Sequence, residues 1–474
     1  MRRTKIVCTL GPASSSEETM RAMIRAGMDV CRLNFSHGTH ESHAAMISAV
    51  REAARQEGKV LAILQDLQGP RIRIGEMAGE GSWLQAGNRF VLTTEELPGT
   101  AERATVHGAP LPHDVREGDR ILLDDGNIEL KVERTSDSEV MCTVVVGGLL
   151  KSHKGLNVPG RTLSVPSITD KDLDDLRFGI QQGVDYVAMS FVRSAEDIHR
   201  LRGFMVEQGA DIPIMAKIEK HEAVATFDEI LLAADAIMVA RGDLGIEMAA
   251  EEVPLLQKSI IARCNAAGKP VVTATQMLDS MIRNPRPTRA EVNDVANAIL
   301  DGSDATMLSG ETAAGSYPVQ AVATMARIAE RTDAALPYHE LMQKAAASRM
   351  RNVTDAVGQA TCEIAYELEA KAIITSTESG YTARMVARHR PPSTIIAVTP
   401  SEATLRQMAV VWGVHPYLTE RYTTTEEMLR QVVDVASKAG HVREGDLVVI
   451  TAGLPLPAKG RTNLLKLHVV GEPV

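Results

Sequence analysis

No stretch of this chain reaches the about 18 consecutive apolar residues that a membrane-crossing helix needs, so a spanning role is excluded and a soluble protein is expected. Cysteine is scarce: Cys8, Cys31, Cys142, Cys264 and Cys362 show no CxxC spacing, which points away from a zinc site or a disulfide framework and toward reduced, packed thiols. Positive charge is in deficit. With 51 Lys and Arg against 61 Asp and Glu the formal net charge is −10, which argues against a nucleic-acid polymer as principal partner. There is no Walker A pattern, no low-complexity segment and no short-period repeat. Met1-Arg2-Arg3 runs directly into strand-like residues, leaving no room for a signal peptide, and a cytoplasmic location is expected.

What the chain does have is alternation. Eight short β-rich runs, most of them followed by amphipathic helical stretches, are expected as strands: Lys5–Leu10, Cys31–Phe35, Leu61–Leu67, Tyr186–Phe191, Ile212–Ile218, Ala236–Ala240, Pro270–Ala274 and Ala305–Leu308. Glu17–Arg25, Ser42–Gln56, Ala195–Gln208 and Pro254–Ala267 carry apolar residues at helical spacing. Eight β/α units predict an α/β (β/α)₈ barrel, but 474 residues exceed the about 250 that one barrel takes. The surplus lies in two blocks. Residues 70–166 read as an inserted all-β lid, with Arg120–Leu123 and Ile128–Val132 about the turn Asp124-Asp125-Gly126-Asn127. Residues 344–474 return to α/β alternation, with strands Ala372–Ser376, Thr394–Val398 and Leu447–Thr451, and read as a separate doubly wound domain. Residues 1–69 and 167–343 form the barrel.

A parallel barrel does its chemistry at the C-terminal ends of its strands, and the polar residues here collect there. Asn34 and Ser36 end the second run, Asp66 falls in the third, Lys217 and Glu219 close the fifth, Asp243 follows the sixth, Thr275 the seventh, and Ser309 and Glu311 the eighth. An ammonium beside two carboxylates, with Gly242 and Gly245 exposing backbone N–H groups, suits a phosphate or enolate bridged by Mg²⁺. A salt-bridged strand end is the plainer reading of the same residues. Ser36 and Thr275 could simply bond backbone, and Asn34 could be a turn residue.

Five motifs in order resemble the pyruvate kinase family: Cys31-Arg32-Leu33-Asn34-Phe35-Ser36-His37-Gly38, Met215-Ala216-Lys217-Ile218-Glu219, Val239-Ala240-Arg241-Gly242-Asp243-Leu244-Gly245, Ala274-Thr275-Gln276-Met277-Leu278-Asp279-Ser280-Met281 and Pro285-Arg286-Pro287-Thr288-Arg289-Ala290-Glu291. The resemblance covers nearly the whole chain and implies a barrel with an inserted β-barrel lid and a C-terminal effector domain. It implies phosphoryl transfer from phosphoenolpyruvate to ADP, giving pyruvate and ATP in the last step of glycolysis, by a homotetramer. Lys217 and Arg32 would neutralise the moving phosphoryl group. Glu219 and Asp243 would hold Mg²⁺ or Mn²⁺, and the N–H groups at Gly242 and Asp243 would receive the substrate carboxylate. Thr275, with Ser309, would guide a proton to the enolate. Asn34, Phe35, Ser36, His37, Arg73 and Lys154 would contact the nucleotide.

Two further expectations come from the same resemblance. Thr375-Ser376-Thr377-Glu378-Ser379-Gly380-Tyr381-Thr382 would bind a phosphorylated effector through Ser376, Thr377, Ser379 and Thr382; Glu378 favours a monophosphate such as AMP or a sugar 5- or 6-phosphate. Asn34, Ser36, Asp66 and Leu67 match a monovalent-cation pocket, but Arg71 stands where potassium-dependent members carry Glu. Leu67 and Gln68 replace the usual Thr and Lys, so potassium is expected not to be required. The rival readings are a Mg²⁺-dependent keto-acid lyase on a barrel and a catalytically silent metabolite sensor. The lid and the cations Arg32 and Lys154 speak against the lyase, and the intact set Lys217, Glu219, Asp243 and Thr275 speaks against the sensor.

Overall fold

A computed structural model describes residues 2–348, 350–456 and 460–473. Met1 of the expected start and Val474, the last residue assigned to the C-terminal block, lie outside them. All eight expected barrel strands are present: β1 (Lys5–Thr9), β2 (Val30–Asn34), β3 (Ala62–Asp66), β4 (Tyr186–Met189), β5 (Ile214–Ile218), β6 (Ala236–Ala240), β7 (Val271–Ala274) and β8 (Ala305–Leu308). They pair in parallel around a closed ring, β8 returning to β1 through Lys5 opposite Ala305. Nearly every strand residue is buried, as expected for strands covered on both faces. Inward-facing Val7, Leu64, Met215, Met238 and Met307 fill the barrel, while the outward-facing set, among it Ile6, Ile63, Ile214 and Ile237, packs under the helices. Ser and Thr caps start those helices: Ser16 accepts from Thr19 N–H, and Thr288 and Glu291 form a reciprocal box.

The insertion leaves the barrel after β3. Seven of its strands form one mostly antiparallel sheet from 73–74 to 156–157. Ile74 N–H donates to Lys154 O and Leu156 N–H to Ile72 O, both at 2.9 Å, joining the two edges so that the sheet closes on itself. The expected hairpin pairs Leu123 with Ile128, and Asp124, Asp125 and Gly126 all take positive φ in its turn. At the exit from the barrel Gly69 has φ +68°, and a Cβ there would stand 2.9 Å from the Phe191 ring, so glycine is required at this hinge.

The C-terminal sheet has five strands in the order 414–418, 394–399, 372–376, 447–452, 464–469, the last one antiparallel. It docks beneath the barrel. Asp304 accepts Arg390 at 3.1 Å, and Arg3 donates to the carbonyls of Pro391 and Ser393.

Candidate active site

The strand ends converge on a chain of charges. Asp66, at the end of β3, accepts Arg32 Nε of β2 at 2.6 Å, and Arg32 Nη1 donates to Thr9 Oγ1 of β1 at 2.9 Å. Lys217 on β5 donates to Ser190 Oγ at 2.6 Å and lies 3.3 Å from Asp66 Oδ1 and 3.0 Å from Glu219 Oε1. Glu219 Oε2 accepts the Phe191 N–H at 2.7 Å. Asp66 and Glu219 are each 1% exposed. Burial would depress the Lys217 ammonium, but Asp66 and Glu219 outweigh it and hold its pKa above the ordinary lysine value. Burial likewise works against the Asp66 carboxylate, and Lys217 and Arg32 pull its pKa down regardless. Glu219 goes the other way: burial raises it, and the nearby Asp243 adds to the effect.

Asp243 sits in the first turn of a short helix, 241–247, that follows β6 directly. The Gly242 N–H donates to Thr275 Oγ1 at 2.8 Å, and Thr275 Oγ1 donates to Ala274 O at 2.6 Å. Thr275 has φ +68°, a strained conformation for a β-branched residue. Arg241 helps hold it there, donating to Thr275 O at 2.7 Å while both Asp294 oxygens accept the same guanidinium. The Ser309 hydroxyl is buried with no hydrogen-bond partner among the described residues, while its N–H donates to Glu311 at 2.7 Å.

A cavity of about 80 Å³ collects Arg32, Lys217, Glu219, Asp243, Thr275 and Ser309, and Asn34, Ser36 and Arg71 close its far side. A second cavity of about 140 Å³ under the lid shares Arg71, Phe191 and Asp243 with it and adds Arg73 and Lys220. Some expected residues stand apart. Lys154 pairs with Asp124 on the lid at 2.6 Å and lines neither cavity. Phe35 is 2% exposed: its ring stacks on His43 at 4.0 Å, its N–H donates to Asp66 O at 3.0 Å and its carbonyl accepts Lys171 Nζ at 2.9 Å, so neither ring nor backbone is turned to the loop surface. His37 is depressed by burial and by Arg71, Arg73 and Arg32, which puts all three cations in range of that loop. The Leu67 side chain is buried, and its carbonyl accepts Ser190 Oγ at 2.8 Å.

In the C-terminal domain Ser376 and Glu378 line a cavity of about 160 Å³ with Arg421, Tyr422 and Thr423. The Ser376 hydroxyl bonds Tyr422, and Glu378 pairs with Arg421 at 3.3 Å. Thr377 and Thr382 are buried, Thr382 on Thr462 at 2.8 Å, and Ser379 offers its carbonyl to Arg384. Sequence reasoning passed over Ser190, Arg421 and Tyr422. Ser190 follows β4, the strand end to which it had assigned no polar residue.

Two family descriptions match this chain: pyruvate kinase, barrel domain, over residues 1–322, and pyruvate kinase, alpha/beta domain, over residues 355–468. A pyruvate kinase of Geobacillus stearothermophilus is 52% identical over 474 residues, covering 99% of this chain and 81% of that protein. One from Staphylococcus aureus is 48% identical over 476 residues, covering 100% and 81%. The crystal structure of a pyruvate kinase from Cryptosporidium parvum superposes with a TM-score of 0.94 at 38% identity, covering 99% of this chain and 96% of that one. The fold and these relatives together define a phosphotransferase. The chain belongs to the pyruvate kinase family, which implies phosphoenolpyruvate and ADP as substrates and general use of Mg²⁺. Among the described residues no helix is long and apolar enough to cross a membrane.

Proposed function

We propose that Lys217 and Arg32 neutralise the phosphoryl group as it moves from phosphoenolpyruvate to ADP. The observation that carries this reading is the Lys217 ammonium, kept charged by Asp66 and Glu219 and lining one cavity with Arg32 and Asp243. In the reaction the bond from phosphorus to the enol oxygen breaks, and a bond to the terminal phosphate oxygen of ADP forms. Charge on the three equatorial oxygens of the moving group is what two cations at the cavity wall oppose. The enolate left behind takes a proton at carbon. Thr275 and the Ser309 hydroxyl would steer that proton through water.

Glu219 and Asp243 fit Mg²⁺ or Mn²⁺: Glu219, raised by its burial and further by Asp243, forms with Asp243 a hard oxygen donor pair that a divalent cation would relieve. Bound there, the metal would supply charge neutralisation for substrate oxygens. The Gly242 and Asp243 N–H groups would receive the substrate carboxylate once Thr275 Oγ1 gives up the first. Asn34, Ser36, His37 and Arg73 would face the nucleotide, and Lys154 would reach it by exchanging Asp124 for phosphate as the lid closes.

Arg71 replaces the monovalent cation in this reading. It lines the same cavity, Asp66 is committed to Arg32 and Lys217, and the Leu67 carbonyl is taken by Ser190. The cavity at Ser376 and Glu378 would admit a phosphorylated monoester, with Arg421 as the cation, and binding would favour the active state by differential affinity. We place the enzyme, as a homotetramer, in the cytoplasm.

The test is Mn²⁺ titration followed by electron paramagnetic resonance. Wild type should bind Mn²⁺ without substrates, and Glu219→Gln should weaken binding by about tenfold or more; equal affinities would overturn the metal roles.

A further inference from the structure

Strand β4 is held at both ends by contacts that no substrate role explains. At its foot Arg406 Nε donates to Asp185 Oδ1 at 2.7 Å, and the Tyr186 hydroxyl donates to Gln407 O at 3.0 Å. Arg51 and the Ile63 N–H, each at 2.7 Å, take the other Asp185 oxygen, so this carboxylate, 3% exposed, has no freedom left. At its head Ser190 Oγ accepts Lys217, and the Phe191 N–H donates to Glu219 Oε2. Phe191 takes φ +54°, which a bulky residue keeps only where its surroundings over-determine it. Between Asp185 and Ser190 lie the four residues of β4, about 17 Å from Cα to Cα at strand rise. Both foot contacts come from the C-terminal helix 402–407, whose Thr404 hydroxyl donates to Glu378 O at 2.9 Å and so joins the helix to the wall of the C-terminal cavity.

We propose that Arg406 is a positioning residue for Lys217 and Glu219, acting from the C-terminal domain through Asp185 and β4. Extended chain is stiff along its axis, so a displacement at the foot of β4 is carried to its head four residues on, and the register bonds to β3 and β5 leave room only for small movements of that kind. The ion pair holds the foot against them. The serine that orients the ammonium and the amide that orients the metal carboxylate are adjacent residues, so one displacement misplaces both. The inference rests on the roles given above to Lys217 and Glu219.

The test uses the full chain without ligands first, by hydrogen exchange over residues 186–192. Arg406→Gln should raise exchange there by about tenfold, lower kcat by about tenfold and weaken Mn²⁺ binding severalfold. Arg406→Lys, which keeps the charge, should restore all three to within about threefold of wild type. Arg3→Gln cuts the same interface at the Pro391 and Ser393 carbonyls; it should lower Tm and leave exchange at 186–192 unchanged. Exchange and kcat within twofold of wild type in Arg406→Gln would overturn the proposal, as would equal effects from Arg3→Gln. Should Glu219→Gln fail to weaken Mn²⁺ binding, the metal role alone falls, because the exchange readout involves no metal.

Discussion

The Lys217 ammonium donates to Ser190 Oγ at 2.6 Å, and Ser190 in turn donates to the Leu67 carbonyl at 2.8 Å. The serine fixes one ammonium hydrogen, leaving Lys217 poised between two carboxylates instead of collapsed onto one. Ser190→Ala should lower kcat by about tenfold by misplacing the cation, with the KM for ADP little changed. Initial rates across both substrates check it.

The thiols should be inert. All five cysteines are buried, and burial raises each, Cys31 and Cys142 to about 12. The native enzyme should leave a chromogenic disulfide reagent unreacted while the denatured chain titrates five thiols. The folded state also keeps these protons longer than the unfolded one, whose thiols titrate near 9. Their contribution to stability is therefore full below pH 9 and lost as pH rises toward 12, which Tm measured over that range would record.

Acid acts through histidine. Burial lowers His389 to about 4, with Arg388 adding to it, and lowers His415 to about 3, with Lys5 adding to it. The unfolded chain binds protons at these residues from about pH 6.5 downward while the folded chain does not, so stability is present above that pH and falls as pH drops toward 4. Replacing both histidines by Asn should flatten Tm between pH 6.5 and 4.5 relative to wild type.

Most of the barrel was legible because buried parallel strands leave unbroken apolar runs, and Lys217, Glu219 and Asp243 stood out as charges ending such runs. The C-terminal edge strands were not. Residues 414–418 carry His415 and Pro416, tolerable on an edge but against the usual composition of a strand, and 464–469 mixes Lys466 and His468 with leucines. Ser190 was missed because a serine after an apolar run looks like any strand end; its value comes from Lys217, 27 residues away. Phe35 drew attention by its motif, yet its ring packs on His43, a contact that sequence spacing does not reveal.

Replacement of potassium by Arg71 can be checked in a tetramethylammonium-balanced buffer at constant ionic strength. Wild-type rates should change less than about twofold on adding K⁺ if the Arg71 cation at the cavity lining stands in for it and repels another. Arg71→Glu should gain clear K⁺ dependence. Tenfold stimulation of wild type would refute the replacement.

The account turns on Lys217, and turnover of Lys217→Met with saturating phosphoenolpyruvate, ADP and Mg²⁺ tests it most directly. Methionine fills the space without the charge and leaves the proposed metal carboxylates Glu219 and Asp243 in place. A loss of about 10³-fold or more in kcat, with Mn²⁺ still bound, is the predicted result. Retention of more than about a tenth of wild-type turnover would contradict it, since a loss so small is far below what removing the main cation from a transferring phosphoryl group costs.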